Sequence, residues 1–413
     1  MDDNSKLIIH RGADEIGGSC VEVNDGKARL LFDLGLPLSS MNENCSKEDY
    51  KLDIKGLYKN SKPNIDAIFI THAHLDHFGL LEFIHPEIPV YLSQTAYNIM
   101  TKILPLFKNG DFSKLNLNVI KPNNPINIGA FEITAHNVDH SIAESMAFEI
   151  RAGDKKILYT GDLRFHGRKN YLSENLSKLK NVDYLLMEGS TLGREDQNQK
   201  TEDELMLELA EHFKSEKLSI VTFSAQNLDR FISVYKACLK AKKTLVIDPY
   251  TCYVLESFKD LSKNIPQFDW NNIAVYFVKN SIGDKLAVTK DLYKYKSKRI
   301  SIEEILNHHE KYVIKDNFKI TTNLISRFNM DKLQLIYSLW SGYLKKPSHL
   351  DPLKNNLIHC HTSGHANIES LQEFVKNIAP KKLIPIHTEC AQVYSQLFDA
   401  RVIVQKDGEE LFL

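Results

Sequence analysis

The chain has 413 residues, 43% of them hydrophobic, with 52 Lys and Arg against 53 Asp and Glu. That composition belongs to a globular protein long enough for one large domain or two, and it excludes a disordered tail. A formal net charge of −1 also excludes broad electrostatic capture of nucleic acid, so any such contact must be local.

In chain order, Leu7 to Ile9, Cys20 to Val23 and Leu30 to Phe32 read as short strands, punctuated by Gly17-Gly18 and the turn Asn24-Asp25-Gly26. Ala67 to Thr71 is an apolar strand that runs into a group of histidines, Val90 to Leu92 is another strand, and Thr95 to Phe107 reads as a helix. Phe131 to Thr134, Met146 to Ile150, Lys156 to Thr160 and Val182 to Met187 complete a strand-rich first part. Beyond Thr191 the character changes. Thr201-Glu202-Asp203-Glu204 predicts a capped helix start with Leu205, Leu209 and Phe213 on one face. Strand Leu218 to Phe223, helix Leu228 to Ala241 and strand Thr244 to Asp248 then suggest a βαβ unit, followed by a helix around Ile302 to Lys311. From Leu357 the first pattern returns: strand, histidine-rich turn, helix Ile368 to Ile378, strand Lys382 to Ile386. The expected architecture is α/β: a core domain built from 1–191 and 344–413, with an inserted α/β domain at 192–343.

No run of about 18 apolar residues offers a membrane span. Asp2, Asp3 and Asn4 stand where a signal peptide needs basic residues, so a cytoplasmic protein is expected. The six cysteines include no C-x-x-C pair and are expected to be reduced and partly buried. A homodimer is the default from symmetry alone.

The strongest signal is Thr71-His72-Ala73-His74-Leu75-Asp76-His77. Imidazole and carboxylate suit zinc and its neighbours, and a turn this dense lets His72 and His74 face one ion while Asp76 and His77 face a second. The remaining ligands must come from other strand ends, and His140, Asp162 and His387 are so placed, Asp162 well suited to bridge. Two divalent ions, Zn²⁺ first and Mn²⁺ compatible with the carboxylates, are the expected cofactors.

The pattern H-x-H-x-D-H, a distant histidine, then Thr160-Gly161-Asp162 resembles the metallo-β-lactamase fold, an αββα sandwich with a dinuclear site at its edge. Asp33, in Phe32-Asp33-Leu34-Gly35, matches that family's early aspartate, which supports the metal loop without ligating. Glu188 in Met187-Glu188-Gly189-Ser190-Thr191, the run His361-Thr362-Ser363-Gly364-His365-Ala366 and Pro385-Ile386-His387 resemble the motifs of the β-CASP group, notably the RNase J-like ribonucleases without their extra C-terminal domain. The resemblance implies hydrolysis of phosphodiesters in single-stranded RNA by a hydroxide bridging two metals. Asp76, His365 and Glu188 would then be catalytic, His365 as proton donor and Glu188 as its partner, with Ser363, Gly364 and Ser224 binding phosphate. The insert's phosphate turn in that group matches Phe223-Ser224-Ala225-Gln226-Asn227 only loosely, which leaves exonuclease and endonuclease modes open.

A second reading is a dinuclear hydrolase of a small thioester, lactone or cyclic nucleotide, favoured by the near-neutral charge and opposed by the large insert. A third, a catalytically silent RNA-binding subunit, is opposed by the filled ligand positions. His10, His85, His136, His212, His308, His309 and His349 match no ligand pattern, and His166 is expected in a solvated loop. Lys240 to Lys243, Lys294 to Arg299 and Lys345-Lys346 are candidate RNA-facing surfaces, with Tyr293, Tyr295 and Tyr343 beside two of them for base stacking.

Overall fold

The computed structural model describes residues 5–41, 45–107, 110–169, 179–194, 199–278 and 281–413. They form two compact units, Met1–Asn198 with Gly364–Leu413, and Gln199–Ser363. No helix among the described residues is long and apolar enough to cross a membrane.

The first unit rests on period-two alternation, which sends successive side chains to opposite faces of a strand. One sheet runs Glu410–Phe412, Lys6–Arg11, Cys20–Asn24, Arg29–Phe32, Ala67–Phe69, Pro89–Leu92, Asn116–Val119. The other runs Lys382–Ile386, Tyr184–Glu188, Lys155–Tyr159, Met146–Ala152, Phe131–Asn137, Ile126–Ile128. Their inner faces share one core: Leu7, Val21, Phe32 and Phe69 from the first sheet meet Ile133, Phe148, Ile157 and Leu186 from the second. Phe32 stacks on Phe69 at 5.3 Å and tilts onto Phe148 at 5.6 Å. The alternate residues Leu158, Leu185, Met187 and Leu383 pack outward against helix Ile368–Ile378. That helix buries Leu371, Phe374, Val375 and Ile378, the i, i+3, i+4, i+7 stripe of an amphipathic helix, and Asn367 caps its start.

The second unit carries a parallel sheet, ordered Arg299–Ile300, Ile273–Tyr276, Thr244–Ile247, Tyr312–Lys315, Leu218–Thr222, Leu333–Tyr337, Leu357–His359. Parallel neighbours need crossovers, supplied by helices such as Leu228–Lys240. Helix Glu202–Phe213 opens on a capping box: Thr201 Oγ1 accepts from the Glu204 amide, and Glu204 Oε2 accepts from the Thr201 amide at 2.8 Å.

Three expectations change. The second unit ends at Ser363, not at 343, because Leu357–His359 pairs with Leu333–Tyr337 and Leu350 and Leu353 fill that unit's core. The helix expected over Thr95 to Phe107 divides into an α turn Gln94–Asn98, a π turn Ile99–Ile103 and a 3-10 turn Leu104–Phe107. Pro105 has no N–H to continue a regular ladder there. The helix near Ile302 stops at Asn307, and a separate 3-10 turn follows at His309–Lys311.

Candidate metal centre

Strand direction assembles the site. Lys155–Tyr159, Tyr184–Glu188 and Lys382–Ile386 pair in parallel, and two antiparallel pairings return Phe131–Asn137 to the same direction. The residues at or just past their C-terminal ends, Asp162, Glu188, His387 and His140, therefore share one sheet edge. The facing sheet delivers the histidine loop from the end of Ala67–Phe69.

Backbone contacts hold that loop. Ser19 N donates to Asp76 O at 3.1 Å, and Leu34 N donates to His77 O at 2.8 Å. Gly35 is required by proximity: a Cβ there would stand 1.7 Å from the Asp76 carbonyl oxygen. The turn Leu75–Phe78 then places Asp76 and His77 one after the other on a single helical turn.

Two donor clusters result. His72, His74, His140 and Asp162 form one, and Asp76, His77 and His387 the other, each with donor atoms within 4.8 Å of one another. In the first, His74 Nδ1 lies 2.9 Å from His72 Nε2 and 3.2 Å from His140 Nε2. In the second, His387 Nε2 is 3.7 Å and His77 Nε2 3.9 Å from Asp76 Oδ2. Asp162 reaches both: its Oδ2 is 3.3 Å from His77 Nε2, 3.7 Å from His72 Nε2 and 3.8 Å from His140 Nε2, and its Oδ1 is 3.7 Å from His387 Nε2.

The far nitrogen of most of these rings is held from behind. His77 Nδ1 donates to Asp33 Oδ2 at 2.8 Å, and His140 Nδ1 donates to the Gly364 carbonyl at 2.6 Å. A carboxylate and a carbonyl can only accept, so both rings carry their proton on Nδ1 and leave Nε2 free to ligate. Thr71 Oγ1 sits 3.0 Å from His72 Nδ1 and donates to Asp33. Ser19 Oγ at 2.8 Å and the Gly17 amide at 3.3 Å face His387 Nδ1.

These atoms fit a cation. His77 Nε2 and Asp162 Oδ1 are buried and find no hydrogen-bond partner among the described residues, which costs about 1–3 kcal/mol per group unless something else binds them. Burial, then neighbouring imidazoles, holds His72 well below the ordinary histidine pKa; burial likewise lowers His140 and brings His74 to about 4. Neutral imidazole is the form that ligates. Burial opposes charge on His77 and Asp162 too. Asp162, Asp33 and Asp76 nevertheless lift His77 well above its ordinary value, and His387, His77 and His365 hold Asp162 well below its own.

Glu188 and His365 lie beside the clusters. His365 Nδ1 is 2.9 and 3.0 Å from the two Glu188 oxygens and 3.8 Å from Asp162 Oδ2. Burial lowers the His365 pKa, but Glu188 and Asp162 outweigh it and raise it. Glu188 also accepts from the Leu163 amide at 2.7 Å and from Ser190 Oγ at 2.6 Å.

The phosphate-binding candidates divide between the units. Gly364 belongs to the first, where its carbonyl holds His140. Ser224 and Ser363 belong to the second; Ser224 is exposed, and its Oγ accepts from the Gln226 amide. His166 is buried, contrary to a solvated loop, and Arg164 beside it turns inward to pair with Asp139 at 3.2 Å. Tyr295 is removed as a stacking residue: it is fully buried, with its hydroxyl on Glu256. Lys243 is also turned in, donating to Ser215 O. Ser19 and Tyr159, which hold His387 and Asp33, escaped sequence reasoning because their partners are distant in the chain.

Residues 54–221 match the beta-lactamase superfamily domain, and residues 352–405 match the Zn-dependent metallo-hydrolase RNA specificity domain. The first unit has the metallo-β-lactamase fold. It is 24% identical over 347 residues to Ribonuclease J of Sinorhizobium meliloti, covering 80% of this chain and 59% of that protein. It is 27% identical over 216 residues to the transcription termination factor FttA of Methanothermobacter thermautotrophicus, covering 47% of this chain and 33% of that one. The chain thus spans less than two thirds of the length of these curated relatives. A crystal structure of a protein of unknown function from Enterococcus faecalis shares the fold with a TM-score of 0.79 at 20% identity, covering 99% of this chain and 100% of that one.

Proposed function

We propose that this metallo-β-lactamase-fold chain is a metal-dependent phosphodiester hydrolase acting on single-stranded RNA, and that its second unit is a β-CASP-like insert. The observation that carries this reading is the reach of Asp162 to histidines of both donor clusters. A carboxylate so placed suits a shared ligand of two ions, and the RNA specificity match at 352–405 and the Ribonuclease J relative favour RNA as substrate.

His72, His74 and His140 would hold one ion and Asp76, His77 and His387 the other, with Asp162 between. Two divalent ions, Zn²⁺ by this histidine-rich set, supply Lewis acidity and a nucleophile at neutral pH. The chain's own residues do the rest. Glu188 keeps the His365 ring oriented and favours its charged form, so that His365 can give a proton to the leaving oxygen. Asp33 and Gly364 hold His77 and His140 in their ligating tautomers.

The test is a product time course on one RNA, labelled separately at its 5′ and 3′ ends, with 5′-phosphate and 5′-hydroxyl forms, beside Asp76→Ala. Mononucleotides released from a phosphorylated 5′ end identify an exonuclease, and internal fragments regardless of the 5′ group an endonuclease. Intact RNA with a metal-loaded protein overturns the reading in favour of a small substrate.

A further inference from the structure

The second unit brings together a different donor set. Glu208 and His212 lie four residues apart on helix Glu202–Phe213, so their side chains share a face, with Glu208 Oε1 and His212 Nε2 4.0 Å apart. Cys360 directly follows strand Leu357–His359 and is buried. One donor atom from each of the three lies within 4.8 Å of the other two. We propose that Glu208, His212 and Cys360 form a further metal site, for an ion of the zinc class, separate from the histidine and aspartate clusters.

The donor chemistry selects the ion. A thiolate beside an imidazole favours zinc or cobalt over magnesium, calcium or manganese, and three protein donors leave a fourth position for water. Helix Glu202–Phe213 carries Glu208 and His212, and further contacts hold the backbone at His212 and Cys360. Gln334 Nε2 donates to His212 O at 2.9 Å, Ser338 Oγ donates to Cys360 O at 2.6 Å, and Cys360 N donates to Tyr337 O at 3.1 Å. Only side-chain rotamers need to adjust. Glu208 and His212 are about one-third exposed, which gives an ion a way in.

The resting chemistry argues against a redox role. Burial, then Glu208, pushes the Cys360 thiol up to about 12, so it is neither a ready nucleophile nor a disulfide-forming thiolate. Binding is therefore an exchange. The ion takes the sulfur as thiolate, one proton leaves to solvent, and the Lys200 ammonium that pairs with Glu208 Oε2 gives way to the divalent charge.

The test uses the full chain with its histidine and aspartate clusters loaded with zinc, titrated with Co²⁺. The readout is the near-ultraviolet thiolate-to-cobalt charge-transfer band, which a centre without cysteine cannot give. One equivalent of cobalt should produce the band in the unaltered protein, in His74→Ala, and in Cys45→Ser and Cys390→Ser, which remove the cysteines that are not fully buried. Cys360→Ser should abolish it, and His212→Ala should weaken cobalt binding at least about tenfold. A protein without the band, a band that survives Cys360→Ser, or unchanged affinity in His212→Ala would overturn the site. The His212 variant, on a partly exposed helix face, keeps the test decisive if Cys360→Ser fails to fold.

Discussion

Asp33 Oδ2 accepts the Nδ1 proton of His77 at 2.8 Å, and both side chains are wholly buried. The same carboxylate accepts from the Thr71 amide and hydroxyl and from the Tyr159 hydroxyl. Its backbone stands at φ 61°, which costs a non-glycine residue about 1 kcal/mol. One strained aspartate thereby fixes the start of the histidine loop and the tautomer of one proposed ligand.

Asp33→Ala should therefore lower metal affinity about 10–100-fold, through loss of the group that orients His77. Metal content after dialysis against graded chelator measures this. Retention equal to the unaltered protein would separate Asp33 from the metal centre.

Asp162→Ala removes the carboxylate that approaches both clusters. Single-turnover RNA cleavage should fall by at least about 10²-fold, and metal should be lost from both clusters, while RNA affinity changes little. Cleavage at an undiminished rate would show that the shared-ligand reading is wrong.

Glu188→Gln removes the charge that raises the His365 pKa. If His365 donates a proton, activity declines as pH rises through that pKa, and in the variant the decline should move to lower pH. A pH–rate profile decides it. An alkaline limb in the same place would exclude His365 as the acid or Glu188 as its partner.

Away from the site, Glu22 accepts from Arg29 through both oxygens at 2.8 Å and from Asn24 at 2.8 Å, and lies 2.9 Å from His10 Nε2. Burial raises its pKa, but these hydrogen bonds outweigh it and hold the carboxyl at about 2, below its ordinary 4.5. A depressed folded pKa contributes stability that is complete above the unfolded value and is lost as pH falls through the folded one. The contribution is about 3 kcal/mol at neutral pH, disappearing between about pH 4.5 and 2. Denaturant titrations at pH 7 and pH 3 should show a smaller acid loss for Glu22→Gln; equal losses would place the acid sensitivity elsewhere.

Gly35→Ala should destabilise the protein by more than about 3 kcal/mol, since the added methyl meets the Asp76 backbone and not a flexible side-chain end. Thermal melting measures it, and a melting temperature unchanged from the parent would contradict the close approach.

Residue type and spacing alone determined much here. Three imidazoles and a carboxylate within His72 to His77, at the end of an apolar strand, have few uses besides metal, and short apolar runs bounded by turn residues marked most of the strands around them. Helix Ile368–Ile378 was legible to the residue because its apolar stripe and its cap are both local signals. Tertiary structure decided what depends on partners far apart in sequence. Only the parallel run of three strands shows that Asp162, Glu188 and His387 share an edge, and only the pairing of Leu357–His359 moves the insert's end to Ser363. His212 matched no ligand pattern in the sequence, and the fold sets it and Glu208 beside Cys360. Tyr295 looked exposed until the fold buried it against Glu256. Local spacing fixes which face of a helix or strand a side chain occupies; what that face meets is settled by packing, which a single segment does not encode.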